Sequence, residues 1–99
     1  YGSAGDLAQS TSFQRLIRIT DDNDNNGVGT LTIFKPSDTT FVKHYIGKSQ
    51  SAIAKVGQNY CVNWMGGGYF NTTSAINAFQ FKFNAGNIDS GIIKLYGIN

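Results

Sequence analysis

Residues 79–84 read Phe-Gln-Phe-Lys-Phe-Asn, with rings at every second position and polar side chains between them. A helix would scatter those rings around its axis, whereas a strand sets them on one side. The alternation therefore predicts a strand with Phe79, Phe81 and Phe83 toward a core and Gln80 and Lys82 toward solvent. Downstream, residues 85–91 have the polar, Gly-containing composition of a hairpin loop. GIIKLYGI at 91–98 then sets Ile93 and Leu95 on one face and Ile92, Tyr96 and Ile98 on the other, the pattern of a terminal strand buried on both sides. Upstream, NTTSAIN at 71–77 is rich in turn and capping residues. YCVNW at 60–64 places Tyr60, Val62 and Trp64 on one face with Cys61 and Asn63 opposite. Gly66, Gly67 and Gly68 are expected to end that strand, because glycine weakens a strand interior.

The first half of the chain is punctuated in the same way. FQRLIRI at 13–19 predicts a strand with Phe13, Ile17 and Ile19 on one side, although Arg15 on that side and Leu16 opposite weaken the alternation. DDNDNNG at 21–27 is a hairpin loop by composition, since Asp and Asn bond their own backbone and Gly tolerates turn conformations. GTLTIF at 29–34 alternates Leu31 and Ile33 against Thr30, Thr32 and Phe34, and Pro36 stops the ladder for want of an N–H. TTFVKHYIG at 39–47 resumes with β-branched and aromatic residues, while SQSAIAKVGQN at 49–59 suits a helical turn as well as a strand. The first twelve residues have little to bury and read as an arm or linker, leaving 13–99 as one domain. Six or seven short strands without a dependable helix predict an all-β fold, an antiparallel β-sandwich of jelly-roll type.

At 99 residues and 10.7 kDa the chain can build one small core. Charged residues make up only 14%, and all six acids are Asp, so the surface must be drawn largely from Asn, Ser, Thr, Gln and Gly. The net charge of +2 is scattered with no run of basic residues, which argues against a nucleic-acid partner. Cys61 stands alone, so no intrachain disulfide can staple the fold. No apolar stretch approaches the roughly 18 residues of a membrane span, and the amino end lacks the basic and apolar blocks of a signal peptide. A start at Tyr1 reads as a processed product, an excised domain or the end of a longer chain.

Few residues here point to chemistry. Asp22, Asp24, Asn26 and Gly27 form the opening of a calcium loop, but its closing position holds Ile33 where a bidentate Glu belongs, so a metal-free hairpin is expected. His44 is the single histidine, flanked by Lys43 and Tyr45 on the opposite strand face, and no nucleophile turn accompanies it. Cys61 lies in an apolar strand with no charged sequence neighbour, the setting of an inert, buried thiol. Neither a catalytic residue nor a cofactor is expected, and a pair of facing carboxyls for glycosidic cleavage is not evident. Trp64, Tyr69, Phe70 and Asn71 surround the glycine run and are the candidates for contact with a partner or a glycan. By its face Trp64 belongs to the core, whereas Tyr69 and Phe70 are better placed for exposure. Asn71-Thr72-Thr73 matches a glycosylation sequon of a kind frequent by chance.

The stretches GVGTLTIFKPSDTTFVKHYIG (27–47) and GGGYFNTTSAINAFQFKFNAGNIDSGIIKLYGI (66–98) resemble a recurrent β-rich domain of tailed-bacteriophage structural proteins, including tail fibres and other virion appendages. Its most specific part is the carboxy-terminal stretch ending in Leu95-Tyr96-Gly97-Ile98. The resemblance implies a virion component on the capsid or tail that assembles with other virion proteins as a homo-oligomer, a trimer in many appendages; the surface rich in Asn, Ser and Thr suits contact with neighbouring subunits or with host-surface glycans. Such domains carry further strands ahead of the part matched, so the resemblance also implies a partial domain or one completed by neighbours. The Asx-rich loop departs from the Gly/Ala-rich connection of that family. The rival expectation is a carbohydrate-binding module of a secreted bacterial protein, stacking sugars on Trp64 or Tyr69.

Overall fold

The computed structural model describes residues 7–19, 25–55, 58–84, 86, 88 and 90–98. They contain one antiparallel sheet of three strands, β1 (Gly27–Ile33), β2 (Lys43–Lys55) and β3 (Gln58–Phe70), in the order β1-β2-β3. The described fold is thus all-β, with a single sheet. Two long strands dominate it: thirteen residues at about 3.3 Å each span roughly 43 Å, which accounts for most of the 51 Å long axis. The radius of gyration of 15.2 Å exceeds the ~13 Å of a compact domain of this length.

The sheet begins and ends for local reasons. β1 follows the alternation of Leu31 and Ile33 and stops before Pro36, with one further bond from Phe34 N–H to the His44 carbonyl (2.9 Å). The chain reverses at residues 35–38, where Asp38 N–H donates to the Lys35 carbonyl (3.0 Å) and Lys35 takes a left-handed φ of 47°. Asp38 Oδ1 then accepts the N–H groups of Thr40 (2.6 Å) and Phe41 (3.0 Å), an Asx-type cap that directs the chain into β2. The ambiguous stretch from Ser49 to Lys55 is strand throughout the rest of β2.

Register defines two faces of opposite character. Leu31, Gly47 and Gly66 lie in one cross-strand row, Gly29, Ser49 and Trp64 in the next, and Gly27, Ser51 and Val62 beyond. On β2 the odd-numbered residues Lys43, Gly47, Ser51 and Ile53 are buried, while the even-numbered His44, Ile46, Lys48, Gln50 and Ala52 are exposed. Irregular backbone contributes to the covered side. The hydroxyls of Ser49 and Ser51 donate to the carbonyls of Leu16 (2.7 Å) and Arg18. At the other end the Lys43 ammonium donates to the carbonyls of Ser74 (2.7 Å) and Thr72 (3.3 Å), and Ile76 N–H reaches the Pro36 carbonyl (2.7 Å).

Several sequence expectations need correction. Residues 13–19 form no strand, because two of their carbonyls are taken by serine hydroxyls on the sheet face rather than by a neighbouring backbone. The glycine run does not end β3, which continues through it to Phe70. A β carbon on Gly66 would come within 2.6 Å of the Trp64 ring, and one on Gly68 within 2.8 Å of the Tyr45 hydroxyl. Glycine here makes room for aromatic rings lying along the strand. FQFKFN is not a strand either, and Phe79, Phe81 and Phe83 remain 44%, 44% and 37% exposed. Alternation specifies which side chains share a face, but it does not provide the neighbouring strand that pairing requires. Likewise 91–98 forms no strand with the described residues, and Ile92, Leu95 and Ile98 are 83%, 85% and 93% exposed rather than buried on both sides. Residues 7–12 of the arm are exposed. The start of the arm, most of the 21–27 loop with Asp22 and Asp24, and positions 85, 87 and 89 of the second loop lie outside the described residues.

Candidate interaction surface

The even-numbered positions of β1 and β2 and the odd-numbered positions of β3 make the open face of the sheet. Three consecutive cross-strand rows, Val28/Gln50/Asn63, Gly29/Ser49/Trp64 and Thr30/Lys48/Met65, line a hollow of about 760 Å³. The outer rows supply two apolar side chains, Val28 and Met65, beside the hydroxyl of Thr30, the amides of Gln50 and Asn63 and the ammonium of Lys48. Such a mixture can donate and accept hydrogen bonds along a flat partner while covering a modest apolar area.

Farther along this face His44 stands opposite Tyr69, with ring centroids 6.0 Å apart and planes inclined by 48°. Tyr69 is 56% exposed, so its ring is open to a partner. Cys61 shares the face, and the Gln50 amide donates to its Sγ (3.0 Å). The thiol is exposed, which corrects the expectation of a buried cysteine: the strand is covered on one face only, and Cys61 lies on the other. Cys61 pairs with Ala52, eight positions along β2 from His44. At about 3.3 Å per residue, roughly 26 Å separate the two residues along the sheet, far beyond the reach of a thiol–imidazole pair.

The four contact candidates divide between the faces. Trp64 and Phe70 share the covered side with Tyr45, and the Tyr45 and Phe70 rings lie 5.2 Å apart. Trp64 is half-buried over Gly66 and beside Gly47. Tyr69 is on the open face, and Asn71 is exposed just beyond the end of β3. The strand brings these residues close in sequence but does not converge them on one ligand. Asn26 is exposed, its carbonyl receiving the Ala52 N–H (3.4 Å).

Sequence reasoning missed Lys43. Its side chain is only 1% exposed and forms its bonds with main-chain carbonyls rather than an acid. Its odd position on β2, in phase with Tyr45, was the available signal. Asp38 was likewise passed over, although Asp before Thr-Thr is a recognisable Asx-turn pattern. The Thr40 and Phe41 amides hold its carboxyl below the ordinary carboxylate range, aided by the positive charges of Lys35 and Lys43. Comparison of the chain with protein-family models, curated proteins and solved structures returned no match.

Proposed function

We propose that this chain is a non-enzymatic structural component of a bacteriophage particle, displayed on the capsid or tail and serving assembly or host-surface attachment. The observation that carries the reading is the amount of strand-like, apolar surface left for a neighbour. Residues 92–98 expose Ile92, Ile93, Leu95, Tyr96 and Ile98, and β1 and β3 are the outer strands of the sheet. Isolated domains rarely present such surface without a partner, and unpaired edges are docking sites for further strands. Subunit contact within a homo-oligomer, a trimer in the appendages that the sequence resembles, supplies cover for both. In that setting the sheet becomes one layer of a β-sandwich of jelly-roll type completed by neighbouring chain. The resemblance of residues 27–98 to virion domains supplies the setting.

Quantitative mass spectrometry of purified phage particles, with an antibody to the domain localised by electron microscopy, tests the reading. A fixed copy number at one place on the capsid or tail supports it. Free protein in the lysate with none in the particle overturns it.

A carbohydrate-binding module is the second reading, favoured by the exposed ring of Tyr69 on an open face that also carries Gln50 and Asn63. Glycan-array binding that disappears in Tyr69→Ala, by a protein absent from particles, would select it.

A further inference from the structure

We propose that residues 92–98 of one copy add as a fourth strand to the free edge of β1 in a second copy. This deepens the assembly reading and rests on it. Donor and acceptor are both present in the chain and are matched in length. Ile92-Ile93-Lys94-Leu95-Tyr96-Gly97-Ile98 has seven residues, as does β1. The donor carries apolar residues on both faces of a strand, yet among the described residues it pairs with none, and its apolar side chains are from 67% to 93% exposed. The acceptor, GVGTLTI, is bonded to β2 on one side and, among the described residues, has no strand on the other. It has none of the charges, prolines or bulges that commonly protect an edge.

The faces also match. On β1, Leu31 and Ile33 turn to the covered side and Thr30 and Thr32 to the open side. A donor placed with Ile93 and Leu95 beside Leu31 and Ile33 extends the covered apolar side and sets Ile92, Lys94, Tyr96 and Ile98 on the open face, next to the row of Val28, Thr30 and Thr32. A second copy is the occupant that the stoichiometry favours, since each chain gives one strand and receives one. A closed pair or ring satisfies every edge of this kind.

The test uses the full chain carrying Cys61→Ser, Thr32→Cys and Lys94→Cys, with ¹⁴N and ¹⁵N protein mixed equally in denaturant, refolded together and treated with a short bismaleimide. The expected result is a 32–94 cross-link of which about half joins unlike isotopes, as random pairing of copies requires. Leu95→Asp, at a site with no packing to lose, is expected to reduce that link at least tenfold and to shift the sedimenting species to monomer. Only like-isotope links would mean that the segment closes on its own sheet, and would overturn the proposal. So would the absence of a link, a wild-type monomer at all concentrations, or a link formed only when other particle proteins are added. None of these failures removes the chain from a purified particle, so the particle assignment is judged separately.

Discussion

The buried ammonium of Lys43 donates to the main-chain carbonyl of Ser74, 31 positions away, at 2.7 Å. A lysine that gives its protons to carbonyls acts as a clasp: it fixes backbone without requiring an acid at a matching position. Here it holds the chain just after β3 against the start of β2, and the Ile76–Pro36 bond lies beyond it.

Lys43→Met should therefore release residues 71–76 rather than unfold the sheet. Thr72 and Ser74 are exposed, so their carbonyls can turn to water, and the cost of burying an ammonium disappears with it. We expect global stability in urea to change by no more than about 1 kcal/mol, while hydrogen exchange at the Ile76 amide accelerates about tenfold or more. Unchanged exchange would show that the clasp holds nothing.

Gly66→Ala is expected to cost about 1–3 kcal/mol, the usual penalty for forcing a side chain into occupied space. The added methyl meets the Trp64 ring at 2.6 Å and must displace it. Gly68→Ala should behave similarly through the Tyr45 ring. Altered near-ultraviolet circular dichroism would accompany the loss, and an unperturbed spectrum with full stability would place the rings elsewhere.

Asp38 gives the stability a dependence on acid. Its carboxyl is held below its unfolded value, so its contribution is present in full above a pH of about 3.9 and is lost as pH falls through the lower folded value. Thermal melts of wild type and Asp38→Asn should differ most near neutrality and converge toward pH 2. A constant gap would mean that the caps to Thr40 and Phe41 do not depend on the charge.

Cys61 should react with a thiol reagent in the native protein within about tenfold of its rate in the unfolded chain, being exposed with one weak hydrogen bond from Gln50. Protection by several orders of magnitude would put the open face under cover.

Phe81→Ala should cost only about 1–2 kcal/mol, since a ring nearly half exposed forfeits much less than the 3–5 kcal/mol of a fully buried one. A loss at the upper figure would require a second layer over 79–83.

Leu31 and Ile33 against Thr30 and Thr32 were legible in the sequence because one face of β1 is covered more than the other. Val62 and Trp64 were legible for the same reason, although Tyr60 on their side is 43% exposed, whereas Gly66 and Gly68 misled because what they accommodate, the rings of Trp64 and Tyr45, comes from neighbouring positions and an adjacent strand. Phe79 and Leu95 misled in the other direction. Their spacing encodes a strand, but pairing is a property of two segments, and the alternation of one does not name the other. On the candidate surface Tyr69 could be singled out from its place beside the glycines. The hollow of Thr30, Lys48 and Met65 could not, since it depends on cross-strand register.

The glycines under the aromatic rings also set how this protein can vary. At 66 and 68 almost any replacement collides with a ring, while one position away, at Met65 or Tyr69, the side chain points into open solvent. Tolerance to mutation along β3 should therefore alternate residue by residue, in stripes running the length of a single strand. A binding specificity carried on the open face could then be rewritten many times over without the other side of the sheet registering the change.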